Sequence, residues 1–535
     1  MNTELKSKKR GALAKFLDGV EWLGNLLPHP VTLFALICII VLLVSGIAGY
    51  FEWSVADPRP EGAKGRAADG MIRAVSLLTP EGLRRISMGL VTNFTSFAPL
   101  GTVLVALLGV GVAERAGLLG AAIRALVLGA PRNLLTAVVV FAAVVSNTAS
   151  EMGYVVLVPL AAVVFHSVGR HPMVGLAAAF AGVSGGYSAN ILIGTVDPLL
   201  SGITTEAAQI IDPSYALGGA NEVLPTANYY FMFVSTFLIT IVGTLVTNYI
   251  VEPKLGPYDP TNAEEGVEEA AKDMGVLSPD EKRGLKLAGL TLFGMLAVLA
   301  ALALPENGWF RDPAHNETLI QDLRPLLKSV VALIFIFFIV PSIVYGRVTG
   351  SMKTDRDVID GMANAMSSMG LYMVLVFFAA QFVAFFKWTN LGTLTAIVGA
   401  DLLQTWGLTG PLVFIPFILM CCFVNLMLGS ASAQWAVTAP IFVPMLMTVG
   451  YSPEVIQAAY RIGDSTTNII TPMMSYFGLI LAFAMRYDKK LGIGTLISMM
   501  IPYSMAYLAG WVVLFYVWVF VLGLPVGPGT PTFYP

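Results

Sequence analysis

Arg461 and Asp464 lie three residues apart in the stretch RIGDSTTNIITPM, between two long apolar runs. On a helix, residues at positions i and i+3 point the same way, so the two side chains can form an ion pair. A charge at bilayer depth costs about 3 kcal/mol or more unless it is paired or hydrated, so it usually marks a functional site. We interpret Arg461 as a ligand for a substrate carboxylate, because its guanidinium is planar and forked. The alternative is a structural ion pair that holds two helices together.

Two further acidic residues, Asp197 and Glu151, also lie in apolar surroundings. For Asp197 and for Asp464 we predict proton or cation coupling, or orientation of Arg461. Glu151 either shares such a role or points into water near the tip of a hairpin. Trp435 suits stacking on an aromatic ring of a substrate, although tryptophan serves equally often in packing.

Small polar residues accompany these charges at four breaks in the apolar sequence: SNTASE, VSGGYSANILIGTVDP, LGSASAQW and RIGDSTTNIITPM. A helix that breaks inside the membrane frees carbonyl oxygens and N–H groups from its hydrogen-bond ladder. Together with Ser, Thr and Asn oxygens, these carbonyls form a cage suited to a small hard cation such as sodium. The predicted ion-binding or coupling residues are Ser146, Asn147, Thr148, Gly186, Asn190, Ser430, Thr466 and Asn468.

The composition indicates a membrane protein. Of 535 residues, 56% are apolar and only 12% are charged, too few charges to cover the surface of a soluble domain. The net charge of −3 gives no basic field for nucleic acid. Three cysteines, Cys38, Cys421 and Cys422, lie in apolar runs without metal-ligand spacing, so we expect buried thiols and no cofactor.

The apolar pattern predicts an all-α membrane protein with about nine transmembrane helices and two re-entrant helical hairpins. The uninterrupted spans are predicted at 29–51, 90–116, 228–250, 284–304, 326–347, 361–387 and 490–522. Polar residues, Gly or Pro interrupt two further spans, at 172–201 and 454–486. The hairpins are predicted at 133–165 and 411–449, because each half of these regions is too short to cross comfortably.

Lysine and arginine are concentrated in the segments that this layout places in the cytoplasm, which predicts a cytoplasmic N-terminus and an outer C-terminus. Residues 1–28 are predicted to form a cytoplasmic amphipathic segment, with a disordered tail as the alternative, and residues 251–283 a hydrophilic cytoplasmic linker. Residues 523–535 form a C-terminal tail.

The two halves of the chain, 29–250 and 326–522, resemble each other. Each contains a hairpin with a small polar tip, then a VGxxP turn, and then an interrupted span; the span at 284–304 connects the halves. In the interrupted spans Gly182 corresponds to Gly463, and Asn190 to Asn468. The matching spans lie five crossings apart, so the second copy is inverted relative to the first. Inverted repeats with broken helices are typical of secondary transporters.

The stretches SNTASEMGY, SGGYSANILIGTVDPLLSGIT, GSASAQWAVTAPIFVPM and RIGDSTTNIITPMMSYF resemble the AbgT family, the p-aminobenzoyl-glutamate transporter family, in the expected order across almost the whole chain. The resemblance implies a homodimer whose protomers have nine spans and two hairpins, in a bacterial inner membrane. It implies transport of p-aminobenzoyl-glutamate and, for some members, export of sulfonamides. The substrate-path positions that it implies are Asp197, Ser432, Trp435, Arg461, Asp464 and Pro472.

We therefore predict a secondary active transporter of aromatic carboxylates that works by alternating access, driven by a proton or sodium gradient. The alternatives are a sodium-coupled carrier for dicarboxylate uptake, a passive channel and an intramembrane enzyme. An enzyme would need a base or metal beside a nucleophile, and the polar core contains no histidine and no HExxH motif. No Walker-type GxxxxGK[ST] motif indicates the use of ATP.

Overall fold

The structure is a computed structural model that describes residues 28–57, 67–149, 153–259, 277–314 and 318–534. It is mostly helical. The predicted amphipathic segment at 1–28 lies outside the described residues except for its last residue. Glu151 and most of the linker at 251–283 also lie outside them.

The described helices of the first half begin with α1, a 21-residue apolar helix opened by a proline in its first turn. They are α1 (Pro30–Tyr50), α2 (Pro80–Thr95), α3 (Ala98–Ala116), α4 (Leu118–Leu128), α5 (Leu135–Ser146), α6 (Val158–Ser167), α7 (Pro172–Phe180), α8 (Val196–Ala208) and α9 (Tyr229–Val246). Wider π-helical turns precede α6 at Gly153–Leu157, extend α7 over Ala181–Gly185 and extend α9 over Thr247–Val251, which leads into a short helix, Glu252–Leu255.

The connecting helix is α10 (Pro279–Ala303), which a capping box at Ser278 and Glu281 starts. The described helices of the second half are α11 (Val330–Thr349), α12 (Asp355–Ser368), α13 (Gly370–Trp388), α14 (Leu391–Thr405), α15 (Phe414–Leu428), α16 (Ala431–Val449), α17 (Pro453–Asn468), α18 (Phe477–Tyr487) and α19 (Ile493–Phe515). Two short helices, Leu319–Asp322 and Arg324–Lys328, precede α11, and a π-helical turn at Tyr516–Val521 extends α19.

Nine of the described helical segments are long and apolar enough to cross a bilayer. Seven of them are the predicted uninterrupted spans. The other two are the arms of the second hairpin, which are longer than we expected: Pro411–Leu428, which is α15 with the short turn before it, and α16. The predicted spans at 90–116 and 361–387 are each interrupted, because non-helical residues separate α2 from α3 and α12 from α13.

Both hairpins fold back at their polar tips. The side chain of Gln434 on α16 donates to the carbonyl oxygen of Cys421 on α15 at 2.8 Å, although 13 residues separate them along the chain. A straight helix would hold these residues about 20 Å apart. In the first hairpin, the backbone of Gly153 lies against the hydroxyl of Ser146 across the tip. Gly429 makes the second turn with a φ of +56°, in the left-handed region that favours glycine.

A pair of glycines shows that the two halves pack alike. A Cβ atom at Gly182 on the turn after α7 would lie 2.8 Å from the carbonyl oxygen of Val140 and 2.5 Å from the Cβ of Ala143 on α5. A Cβ atom at Gly463 on α17 would lie 2.7 Å from the carbonyl oxygen of Ile418 and 2.5 Å from the Cβ of Cys421 on α15. In each half, therefore, the first hairpin arm touches the broken segment through residues i and i+3.

Two features outside the membrane helices were not predicted. The loop between α1 and α2 contains an antiparallel pair of strands, β1 (Ser54–Ala56) and β2 (Met71–Arg73), with Val55 opposite Ile72. The C-terminal tail folds back onto the start of α17, where the backbone N–H of Ser452 donates to the carbonyl of Thr532 at 3.2 Å.

We predict that Gly463→Ala lowers the stability of the fold, because the new methyl group would meet backbone atoms of α15 that cannot move away freely. Overpacking of this kind costs about 1–3 kcal/mol. Thermal unfolding of the purified protein in detergent checks this. Gly289→Ala is the matched control, since nothing lies within 4 Å of a Cβ atom on that exposed face. Equal midpoints for the two variants would contradict the close contact between α15 and α17.

Candidate functional site

The two breaks in the helices meet inside the protein. Residues 186–195 separate the turn after α7 from α8, and residues 469–476 separate α17 from α18. The backbone N–H of Ser188 donates to the hydroxyl of Ser465 at 3.0 Å, and the hydroxyl of Ser184 contacts the sulfur of Met474 at 3.2 Å. Each break thus lies against the broken segment of the opposite half.

An ion pair joins the two broken segments. A terminal nitrogen of Arg461 on α17 donates to Oδ1 of Asp197 on α8 at 2.5 Å, and the side chains are only 3% and 4% exposed. The second carboxylate oxygen of Asp197 accepts from the backbone N–H of Gly194 at 2.7 Å. The other terminal nitrogen of Arg461 contacts the sulfur of Met232 on α9 at 3.1 Å. The buried charge of Arg461 is thus paired with Asp197, whose carboxylate is itself fixed by a backbone N–H.

This geometry corrects one prediction. The spacing of Arg461 and Asp464 suggested that they pair with each other, but the partner of Arg461 is Asp197. The carboxylate reaches the guanidinium from α8, a segment 264 residues away, and this contact corresponds to one of the alternatives predicted for Asp197, the orientation of Arg461.

Asp464 is completely buried, and neither of its carboxylate oxygens makes a hydrogen bond in the structure. Two side-chain amide oxygens of the second hairpin, on Asn425 and Gln434, also lack donors. The amide nitrogen of Asn425 donates to the backbone carbonyl of Asp464 at 2.7 Å, and that of Gln434 to Cys421, which packs on the neighbouring Gly463. Asp464 is therefore a buried carboxylate without donors, and its backbone carbonyl touches Asn425, whose side-chain oxygen also lacks a donor. A buried carboxylate without donors suits a cation or a proton.

Asn425 and Gln434 were missed by the sequence analysis. Both are buried, and Asn425 is the one amide in the apolar arm FIPFILMCCFVNLML. A lone amide in an apolar arm next to a polar tip is a usable signal, because it must find a buried partner. Gln434 follows the tip itself and lies beside the predicted Trp435.

The five predicted ion-binding residues of the first half come together at the first hairpin tip. The hydroxyl of Thr148 donates to the side-chain oxygen of Asn190 at 3.0 Å, and the amide of Asn147 donates to the carbonyl of Gly186 at 3.4 Å. Ser146 lies at the same tip, although its hydroxyl donates to its own helix, to Ala143 at 2.7 Å. The side-chain oxygen of Asn147 makes no hydrogen bond and remains available to a ligand.

The residues of the second half that were predicted to bind ions or substrate do not all lie together. Asn468 accepts from the amide of Asn425 at 2.9 Å, and Ser430 contacts Ser432 at 3.2 Å on the half-buried tip. Thr466 donates to its own helix, to Ile462 at 2.7 Å, and faces α15 instead of the tip. Pro472 lies half-buried in the break after α17, where a missing N–H helps to end the helix.

Trp435 is completely buried and already has partners. Its ring stacks on that of Tyr460 with centroids 4.1 Å apart and planes 25° apart. Its indole N–H donates to the hydroxyl of Thr204 on α8 at 2.9 Å. In this conformation Tyr460 covers one face of the Trp435 ring, and no part of the side chain is open to a substrate ring.

The site contains no cluster typical of a transition metal. Among the described residues, no group of three or more His, Cys, Asp or Glu side chains is arranged to hold a metal ion. The three cysteines are free and buried. The donors that the site does offer are carboxylate, amide, hydroxyl and carbonyl oxygens, which suit a small hard cation.

Comparisons with known proteins agree with this architecture. A model of the AbgT putative transporter family matches residues 15–534. The chain is 36% identical to the p-aminobenzoyl-glutamate transport protein of Escherichia coli (strain K12) over 516 residues, 96% of each chain.

Two solved structures are similar over nearly their whole lengths. One is MtrF of Neisseria gonorrhoeae, described within a class of antimetabolite efflux pumps, with a TM-score of 0.88, 58% identity, and coverage of 96% of this chain and 100% of that one. The other is the YdaH transporter of Alcanivorax borkumensis, described as having an unusual topology, with a TM-score of 0.84, 44% identity, and coverage of 94% and 100%.

We predict that Arg461→Met and Asp197→Leu each destabilise the protein by about 3–5 kcal/mol, because each leaves one buried charge without its partner. The double variant should recover most of this loss, since two apolar side chains replace the pair. Reversible unfolding in mixed micelles, arranged as a double-mutant cycle, measures the interaction. If the two losses simply add, the pair does not interact as the structure indicates.

Proposed function

The chain belongs to the AbgT transporter family, and on that basis we propose that it carries aromatic carboxylates related to p-aminobenzoyl-glutamate by secondary active transport. That it is a membrane transporter and not an enzyme follows from the family. The observation that carries the rest of the proposal is the buried ion pair between Arg461 and Asp197, which links the broken segments of the two halves.

Arg461 binds the substrate carboxylate in this proposal, by exchange with Asp197. A carboxylate already lies on the guanidinium, so an incoming carboxylate replaces one partner by another of the same chemistry. The buried guanidinium therefore always has an anionic partner. A buried guanidinium without one would cost several kcal/mol. The aromatic ring of the substrate then lies near Trp435, after Tyr460 has moved away from its face.

The same exchange links substrate binding to the coupling ion. When a substrate carboxylate takes Arg461, the negative charge of Asp197 loses its partner in a buried place. A proton or a sodium ion on Asp197 would restore neutrality. Asp464 offers a second place for such an ion, because its carboxylate is completely buried and neither of its oxygens has a donor. We propose that one or both aspartates carry the coupling ion, with the first hairpin tip around Asn147 and Asn190 as a further oxygen cage.

Alternating access arises in this proposal from movement of the hairpins and broken segments against the remaining spans. The hairpin arms pack on the broken segments, as α15 does on α17, while α10 packs on α11 and α4 at the periphery. We propose that the peripheral helices form the scaffold and that the protein is a homodimer. The face of α10 is almost wholly exposed in the single chain and is available to lipid or to a second copy.

The relatives narrow the substrate class. One is named for p-aminobenzoyl-glutamate, which combines an aromatic ring with two carboxylates, and another is described as an efflux pump for antimetabolites. We propose that this chain also exports sulfonamide antimetabolites, which keep the aniline ring and lack the glutamate. The bacterial inner membrane, with a cytoplasmic N-terminus and an outer C-terminus, is the proposed location.

We predict that Arg461→Ala reduces transport of the glutamate conjugate at least tenfold more than transport of a sulfonamide. The conjugate loses a charge-assisted hydrogen bond, whereas the sulfonamide depends mainly on the ring contact. Flux of both radiolabelled compounds into proteoliposomes measures the two losses. Equal losses would indicate that Arg461 serves only to stabilise the fold.

We predict that Asp464→Asn abolishes the response of transport to an imposed ion gradient while substrate binding is retained. The amide keeps the size of the side chain and removes the charge that the coupling ion needs. Proteoliposomes are tested first with a sodium gradient and then with a proton gradient, which also identifies the ion. A variant that still concentrates substrate would exclude Asp464 from coupling. Sodium-driven uptake of simple dicarboxylates by the wild type would favour the alternative carrier.

A further inference from the structure

Two side chains of α8 form hydrogen bonds to side chains of α17 in the second half. Asp197 and Thr204 lie seven residues apart, two helical turns, and about 10 Å along the axis. Asp197 pairs with Arg461, and the hydroxyl of Thr204 lies 2.6 Å from the side-chain oxygen of Gln457. Because residue numbers rise on α8 as they fall on α17, the two helices run antiparallel. One ion pair and one neutral hydrogen bond thus join α8 to α17.

The neutral hydrogen bond between Thr204 and Gln457 also involves Trp435. The indole N–H donates to Thr204 at 2.9 Å, and the hydroxyl proton of Thr204 is within reach of Gln457 and of the carbonyl of Leu200 at 2.8 Å. Gln457 in turn donates to the side-chain oxygen of Asn228 at 2.7 Å. All these side chains are buried. Moving Thr204 away therefore leaves the Trp435 indole without a partner.

Tyr460 completes the arrangement from the other side of Trp435. Its ring stacks on Trp435, and its hydroxyl donates to the carbonyl of Ala431, the first residue of α16, at 2.8 Å. The aromatic pair is therefore tied at once to α8 through Thr204 and to the second hairpin tip through Ala431.

We propose that α8 is a two-point latch, in which Asp197 holds Arg461 and Thr204 holds Trp435, and that Thr204 is a positioning residue for substrate selection. The proposal rests on the proposed function, because it assigns the two ends of the latch to the carboxylate and the ring of the substrate. Both points lie on one rigid helix, so they open together. A substrate with both a carboxylate and a ring replaces both contacts that are lost when the latch opens. A ligand with only one of these groups causes the loss of both contacts and replaces one.

The latch has a consequence that a local role for Thr204 does not have. Thr204→Val removes the hydroxyl and keeps the shape, which weakens one point and lowers the cost of opening for every ligand. Glutamate alone, which has no ring to place on Trp435, should then bind about fivefold more tightly, the equivalent of one typical hydrogen bond. If Thr204 acted only through the ring contact, the affinity for glutamate would stay unchanged.

Competition binding to the purified full-length protein tests this with p-aminobenzoyl-glutamate, a sulfonamide and glutamate as the three ligands. Thr204→Ser should behave as the wild type, because it keeps the hydroxyl. Thr236→Val is the matched control, since that buried hydroxyl bonds only its own helix, at Met232. An unchanged affinity for glutamate in Thr204→Val overturns the latch.

A second measurement needs no ligand and separates the latch from the proposed function. The protein is labelled with 5-fluorotryptophan, and the fluorine resonance of Trp435 is assigned with Trp435→Phe. The latch predicts that Asp197→Asn shifts this resonance in the direction that Thr204→Val shifts it, although Asp197 does not touch Trp435. A resonance that responds to Thr204→Val but not to Asp197→Asn overturns the latch. Failure of the wild type to bind any of the three ligands, with this coupling intact, overturns the proposed function instead.

Discussion

The charge of Arg461 is the constraint on which the rest of the structure depends. An arginine does not lose its proton inside a protein, so a buried guanidinium needs an anion at all times. The anion is Asp197, which belongs to the other half of the chain. Both halves must therefore bring a broken segment to the same place. Close glycine contacts make this possible, because the turn after α7 and helix α17 touch the backbone of the hairpin arms at Gly182 and Gly463.

Much of this arrangement could be predicted from the sequence, because polar residues stand out in the apolar runs of a membrane protein. Charges and amides are rare in apolar runs, so Asp197, Arg461 and Asp464 could be recognised, and so could the breaks and hairpin tips that surround them. The seven spans that were predicted to be uninterrupted follow from length and hydropathy alone, although two of them contain a break. The repeat followed from the order of its parts, and the equivalent contacts of Gly182 and Gly463 have the same form in the structure.

The contacts themselves could not be predicted. Local spacing paired Arg461 with Asp464, whereas the partner is Asp197, 264 residues away, for which the orientation of Arg461 was only one of several predicted roles. Thr204 and Gln457 were missed because a single threonine or glutamine in a helix does not indicate a functional contact until its partner is known. One signal was present: Gln457, Arg461 and Asp464 recur at helical spacing on α17, and a polar stripe along a buried helix must face other polar groups. The interruption of the spans at 90–116 and 361–387 carried no comparable signal.

In the function that we propose, the groups that recognise the substrate are already paired with parts of the protein. Asp197 takes the place of a substrate carboxylate on Arg461, and Tyr460 takes the place of an aromatic ring on Trp435. Inside a membrane protein this is a physical necessity, since an unpaired guanidinium or an unpaired indole N–H in an apolar place costs free energy. Substrate binding in the proposed function is therefore an exchange of partners, and its net free energy is the difference between the contacts with the substrate and the contacts within the protein that they replace. Such a site rejects a ligand that compensates only part of what it displaces, so selectivity and movement of the broken segments have the same origin.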